Sequence, residues 1–168
     1  MGKKVFYLLL AIVVILGGAA ACKKGADKPP AGTTPVDELI QAGKAPVTVG
    51  SLYRGISPVA PTFRVSVVNV SDAPVTLING MVVFFDENGK ALPEATQETG
   101  YTDISPIPPG EKIELSIIAS DDKAVSGTWI IKEVIYEKPN PVDKTYGTLP
   151  YKWTNPNFEA ELEAEKNK

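Results

Sequence analysis

The chain has 168 residues, 43% hydrophobic and 22% charged, with a formal net charge of −3; this suits one globular domain plus tails and excludes a chain disordered throughout. It contains no histidine, the side chain most used for acid–base work near neutrality and for zinc or copper ligation, and it lacks the clustered basic surface that nucleic acid requires. A single cysteine excludes an internal disulfide, so the core must hold by packing.

Residues 1–21 read as an export signal. Lys3 and Lys4 form a charged start, Val5 to Leu16 an apolar run of 12 residues, and Gly17 to Ala21 a small-residue end, the three parts of a secretory signal. Cys22 follows directly, where a lipoprotein signal peptidase leaves it as the first mature residue. Ala20, Ala21 and Cys22 resemble the bacterial lipobox, and Ala19 departs from its usual leucine. Two other readings stand beside lipidation. Ala19-Ala20-Ala21 also fits ordinary signal peptidase. An uncleaved anchor over Val5–Ala21, at 17 residues, reaches about 25 Å, short of the ~30 Å hydrocarbon core. The lone cysteine at this one position favours palmitate-type lipidation of Cys22 and a place in the cell envelope, at the outer membrane or cell surface rather than the inner membrane.

Residues 22–46 have the Lys, Gly, Pro and Thr content of a flexible tether. Within it, Thr34 to Gly43 carries a cap residue, a proline at the first helical position, early acids and a terminal glycine, which predicts a helix of about two turns. Residues 47–155 predict a β domain. Val47–Tyr53 is a first strand, Phe63–Val67 alternates as a half-buried strand, and Asn69 to Pro74 is turn chemistry. Val75–Phe85 is interrupted by Asn79-Gly80, a hairpin signal that would leave Val75–Ile78 as a stub. One strand with a glycine bulge is therefore preferred. Asp86 to Gly89 predicts a tight turn, Lys90–Thr96 a weak edge strand, Ile113, Leu115 and Ile117 a period-2 face, and Trp129–Tyr136 a further strand closed by Pro139-Asn140-Pro141. Ile56–Pro61 and Ile104–Pro109 read as two proline-stiffened connections. Tyr146–Trp153 reads as a closing strand. Residues 156–168 are a charged tail in which Asn157 can cap a short helix. The fold class expected is mainly β, a single antiparallel immunoglobulin-like sandwich.

Asn69-Val70-Ser71-Asp72-Ala73-Pro74-Val75, Val82 to Gly89, and Ile107-Pro108-Pro109-Gly110-Glu111 resemble two groups of bacterial extracytoplasmic domains, the FxLYD domain and the YcfL-type lipoproteins. The resemblance spans roughly residues 62–136. It implies an immunoglobulin-like sandwich and an envelope location, and it carries over no catalytic residue. Gly89 and Gly110 fit turn positions of positive φ. Tyr101 stands where the YcfL-type pattern has a tryptophan, and the aromatic extension after Glu137 has no counterpart there.

Candidate chemistry is sparse. Asp86, Asp103, Asp121 and Asp122 are the weak candidates for a Ca²⁺ site; no spacing matches an EF-hand loop, and solvated turns explain them better. There is no G-x-S-x-G or S-x-x-K run to supply a nucleophile. Tyr146, Tyr151, Trp153 and Phe158 are either an aromatic strip that contacts a partner or part of the core. The expected function is thus a non-catalytic, membrane-anchored interaction or accessory module with no cofactor, acting on an envelope protein or polymer. A carrier of a small ligand or metal is the alternative, and a carboxylate-based hydrolase stands further off.

Overall fold

The computed structural model describes residues 31–57, 60–142 and 147–168, apart from the side chains of residues 103 and 104; Cys22 and Tyr146 lie outside the described residues. In chain order they form α1 (Val36–Gln41), β1 (Val47–Val49), β2 (Tyr53–Arg54), β3 (Thr62–Asn69) and β4 (Val75–Phe85). A 3₁₀ turn (Pro93–Ala95) follows, then β5 (Gln97–Ile107), β6 (Lys112–Ile118), β7 (Ser126–Pro139), β8 (Thr148–Thr154) and α2 (Phe158–Lys166).

Two antiparallel sheets pack face to face. In the first, β3 has β6 on one side and both β1 and β2 on the other. The second runs β5-β4-β7-β8. Because β3 passes to β4, β5 to β6 and β6 to β7 across the sandwich, the order is that of an immunoglobulin-like fold.

Alternation places the core. Phe63, Val65 and Val67 of β3 are fully buried against Ile78, Val82 and Phe84 of β4 and Ile117 of β6, and the Phe63 and Phe84 rings lie 5.1 Å apart. β4 is one strand through Asn79-Gly80, as expected, but the extra residue of the irregularity is Lys132 on β7, since Asn79 faces Glu133 and Gly80 faces Ile131. Glycine is required at 80 for another reason: a Cβ there would lie 2.1 Å from the Ile130 carbonyl oxygen and 2.9 Å from Trp129 Nε1. Gly89 and Gly110 have φ of 76° and 77°, as turn positions that favour glycine.

Three strand assignments differ from expectation. The first strand is split into β1 and β2 by one extra residue: Gly50 still donates its N–H to Ser66 O, but Ser51 and Leu52 together face Val65 alone, since Val49 pairs with Val67 and Tyr53 with Arg64. Lys90–Thr96 is no strand beyond a single bridge from Ala91 to Phe85; Pro93, without an N–H and with a preset φ, opens the 3₁₀ turn instead. The strand lies later, as β5, and includes Ser105-Pro106, which the sequence suggests as a loop. β5 pairs only with β4, and an edge strand tolerates a proline that a central strand would not.

Both flanking segments belong to the packed body. α1 buries Val36 and Leu39, its first N–H is capped by Asp72 Oδ1 at 2.8 Å rather than by Thr34, and Thr34 bridges to Ser71. α2 buries Phe158 and Leu162 against Val83, Phe85 and Ile130 on the outer face of the second sheet. The tether and charged tail expected at 22–46 and 156–168 therefore each contribute apolar side chains to the domain.

Candidate functional site

The turn residues that carry the family resemblance do structural work. Asn69 is fully buried. Its Nδ2 donates to the carbonyls of Ala73 (2.8 Å) and Ile107 (2.9 Å), and its Oδ1 accepts from Ser71 N (3.0 Å) and Ser71 Oγ (2.8 Å). Every polar group there is satisfied, as a dry interior demands, which leaves nothing for a ligand.

The three described aromatics do not form a strip. Trp153 and Phe158 are each 7% exposed and sit in different clusters, Trp153 in the main core and Phe158 on the outer face. Tyr151 is half-buried and stacks on Tyr136 with centroids 6.0 Å apart. Tyr146 lies outside the described residues. Burial raises the Tyr136 phenol above its ordinary value of 10.0, against the lowering influence of Lys138. Lys138 bonds both oxygens of Asp37 at 2.7 Å. That bond is the main cause raising the Lys138 ammonium above 10.5. The pair fastens α1 to the end of β7.

Of the acids, Asp86 and Asp122 line one cavity of about 400 Å³ with Asn88 and Lys123. Asp86 Oδ1 is occupied by the backbone N–H groups of Asn88 and Lys90 at 2.9 Å, and Asp121 Oδ1 by that of Lys123 at 2.8 Å; these are Asx turns. The side chain of Asp103 lies outside the described residues. Among the described residues no three His, Cys, Asp or Glu side chains are placed to hold a metal.

A different place has the makings of a site. β8 pairs with β7 only from Glu133 to Pro139, so the first half of β7 has β4 on one side and, among the described residues, no strand on the other. This edge faces β1 of the opposite sheet across a groove. One part, about 430 Å³, is lined by Val47, Val49, Trp129, Trp153, Glu161 and Glu165 among others. A second part lies between Val49–Ser51 and Gly127–Trp129, and the two share Val49, Thr128 and Trp129. Two buried polar atoms among the described residues have no hydrogen-bond partner, Trp129 Nε1 and Glu165 Oε2. Both side chains line this groove. An unsatisfied buried polar atom costs about 1–3 kcal/mol; the Trp129 Nε1 lies over Gly80 of β4, 2.9 Å from where a Cβ there would stand, and Glu165 Oε2 belongs to the α2 wall. The sequence offers no sign of the groove, because Trp129 and Glu165 come to line it together only when α2 folds back beside β7.

No family model and no curated protein matches the chain. Among solved structures, a hypothetical protein of Peptoclostridium difficile 630 is similar with a TM-score of 0.56 at 11% identity, over 74% of this chain and 93% of that one. The likeness is of fold alone. A Northeast Structural Genomics Consortium target aligns over 66% of this chain and 84% of that one at 16% identity, with a TM-score of 0.21.

Proposed function

We propose that this chain is a non-catalytic binding module of the bacterial cell envelope, held to a membrane through lipid on Cys22. The observation that carries the binding role is the groove between the open edges of β1 and β7, lined by Trp129 and by Glu165, whose Oε2 is buried without a partner. Two features support the non-catalytic reading. The chain has no histidine, and the side chains lining the groove include two carboxylates and no nucleophile activated by a base. The anchor rests on Cys22 after Ala20-Ala21, and the resemblance to FxLYD and YcfL-type domains agrees with an envelope setting.

The experiment places a photo-crosslinking residue at Val49, in the groove, and at Leu77, away from it, in cells that export the protein. Crosslinked envelope adducts from position 49 and none from 77 are the expected result. Equal yields at both positions, or none at either, would overturn the groove as the contact surface.

A further inference from the structure

β7 is 14 residues long, and β8 covers its second half in a row that stops at Asn155. There Asn155 N donates to the Lys132 carbonyl at 2.8 Å and Asn155 Nδ2 to the Ile131 carbonyl at 3.0 Å, after which the chain turns through Pro156 into α2. Ser126 to Ile130 is thus left in line with β8 but unpaired by any strand among the described residues. At ~3.3 Å per residue this is an edge of about 17 Å, and a free edge of that length is a template for another strand.

The two walls differ in character. On the side between the sheets the groove presents Val47, Val49, Trp129 and Trp153; on the α2 side it presents Glu161 and Glu165, and among the described residues no lysine or arginine lines it. Lys168 Nζ pairs with Oε1 of Glu165, which leaves Oε2 buried without a partner. The C-terminal end of α2 adds its negative dipole to the same place.

We infer that the groove takes an extended peptide segment of a partner protein, which adds a strand to Ser126–Ile130 in line with β8, sets apolar side chains against Val47, Val49 and Trp129, and points lysine or arginine side chains to Glu161 and Glu165. The inference rests on the binding-module reading above and gives it a partner chemistry. Strand addition supplies affinity through main-chain hydrogen bonds and selectivity through alternate side chains. A small organic cation would meet Glu165 but leave the strand edge unused.

The test uses the purified protein and three acetylated, amidated heptapeptides: one alternating lysine and valine, one alternating glutamate and valine, and the basic one with a central proline. NMR follows the amides of Gly127 to Ile130 and the Trp129 indole N–H. The basic peptide is expected to slow amide exchange along this edge and shift the indole resonance, with the acidic peptide at least tenfold weaker and the proline peptide without effect. Glu165→Gln should weaken the basic peptide about fivefold. Ala164→Lys, at an exposed position on the groove wall, should abolish its binding while the protein keeps its thermal midpoint. Unprotected amides at millimolar basic peptide, or equal binding of the acidic one, would overturn the inference. So would agmatine shifting the indole while no peptide protects the edge, which assigns the groove to a small cation. Groove-specific crosslinks in cells without edge protection retire the peptide strand alone; edge protection in a protein that gives no such crosslinks retires the envelope role alone.

Discussion

Asn69 shows how one side chain ties three segments together. Its bonds join the end of β3, the turn through Ser71 and Ala73, and the end of β5 at Ile107. Asn69→Ala takes the acceptor from the Ser71 N–H and the donor from the Ile107 carbonyl, while the Ala73 carbonyl keeps the Ser71 hydroxyl, and a loss of about 2–4 kcal/mol by urea unfolding is expected, from ~1–3 kcal/mol for each buried group left unmet. Asn69→Asp keeps Oδ1 but puts a carboxyl in a dry site, which raises its folded pKa. The sign follows: its stability is present at low pH and lost as pH rises, so the variant should be less stable at pH 7 than at pH 4. Tyr136 behaves alike at the other end of the scale. Its raised phenol pKa contributes stability that is whole below pH 10 and lost as pH climbs through the folded value. Tyr136→Phe should flatten that alkaline fall in an unfolding series. The inward parity of Phe63, Val65 and Val67 was legible in the sequence, and Asn69 to Pro74 as a turn was too, whereas the burial of Asn69 at the end of β3 was not. Nor was the Ile107 carbonyl, because it comes from 38 residues away.

Elements were readable where a period-2 pattern meets a water-exposed face and less so elsewhere. β3 and β6 follow their apolar alternation, β4 its long apolar run, and β8 falls where the aromatic segment suggests a strand. β5 did not, since Ser105-Pro106 reads as loop until its edge position is known. The two helices were visible as helices but not as core. Each is short, and the apolar pairs Val36 with Leu39 and Phe158 with Leu162 are ordinary i,i+3 and i,i+4 neighbours, whose burial depends on Asp72 and on the outer face of β4. That burial makes a prediction. Leu162→Ala should lower stability by about 2–3 kcal/mol, the lower part of the range for a buried leucine, whereas a change within ~0.5 kcal/mol, as at a surface site, would mean that α2 does not pack on β4 in solution. The groove depends on the same docking, because Glu161, Ala164 and Glu165 line it only with α2 in place.

At the scale of the whole molecule, a sandwich with α1 clamped at one end and α2 along one face presents an open seam between β1 and β7, and residues 1–22 carry the pattern read as a lipoprotein signal. The proposed binding near a membrane rests on those two features together, since a tethered module meets partners at high effective concentration. The most direct measurement of this account is intact mass spectrometry of the protein extracted from the membranes of cells that express it. The account predicts a chain that starts at Cys22 and carries a diacylglyceryl thioether, and a Cys22→Ser variant that lacks the added mass. A wild-type chain that begins at Cys22 without lipid, or one that retains Met1, would contradict it.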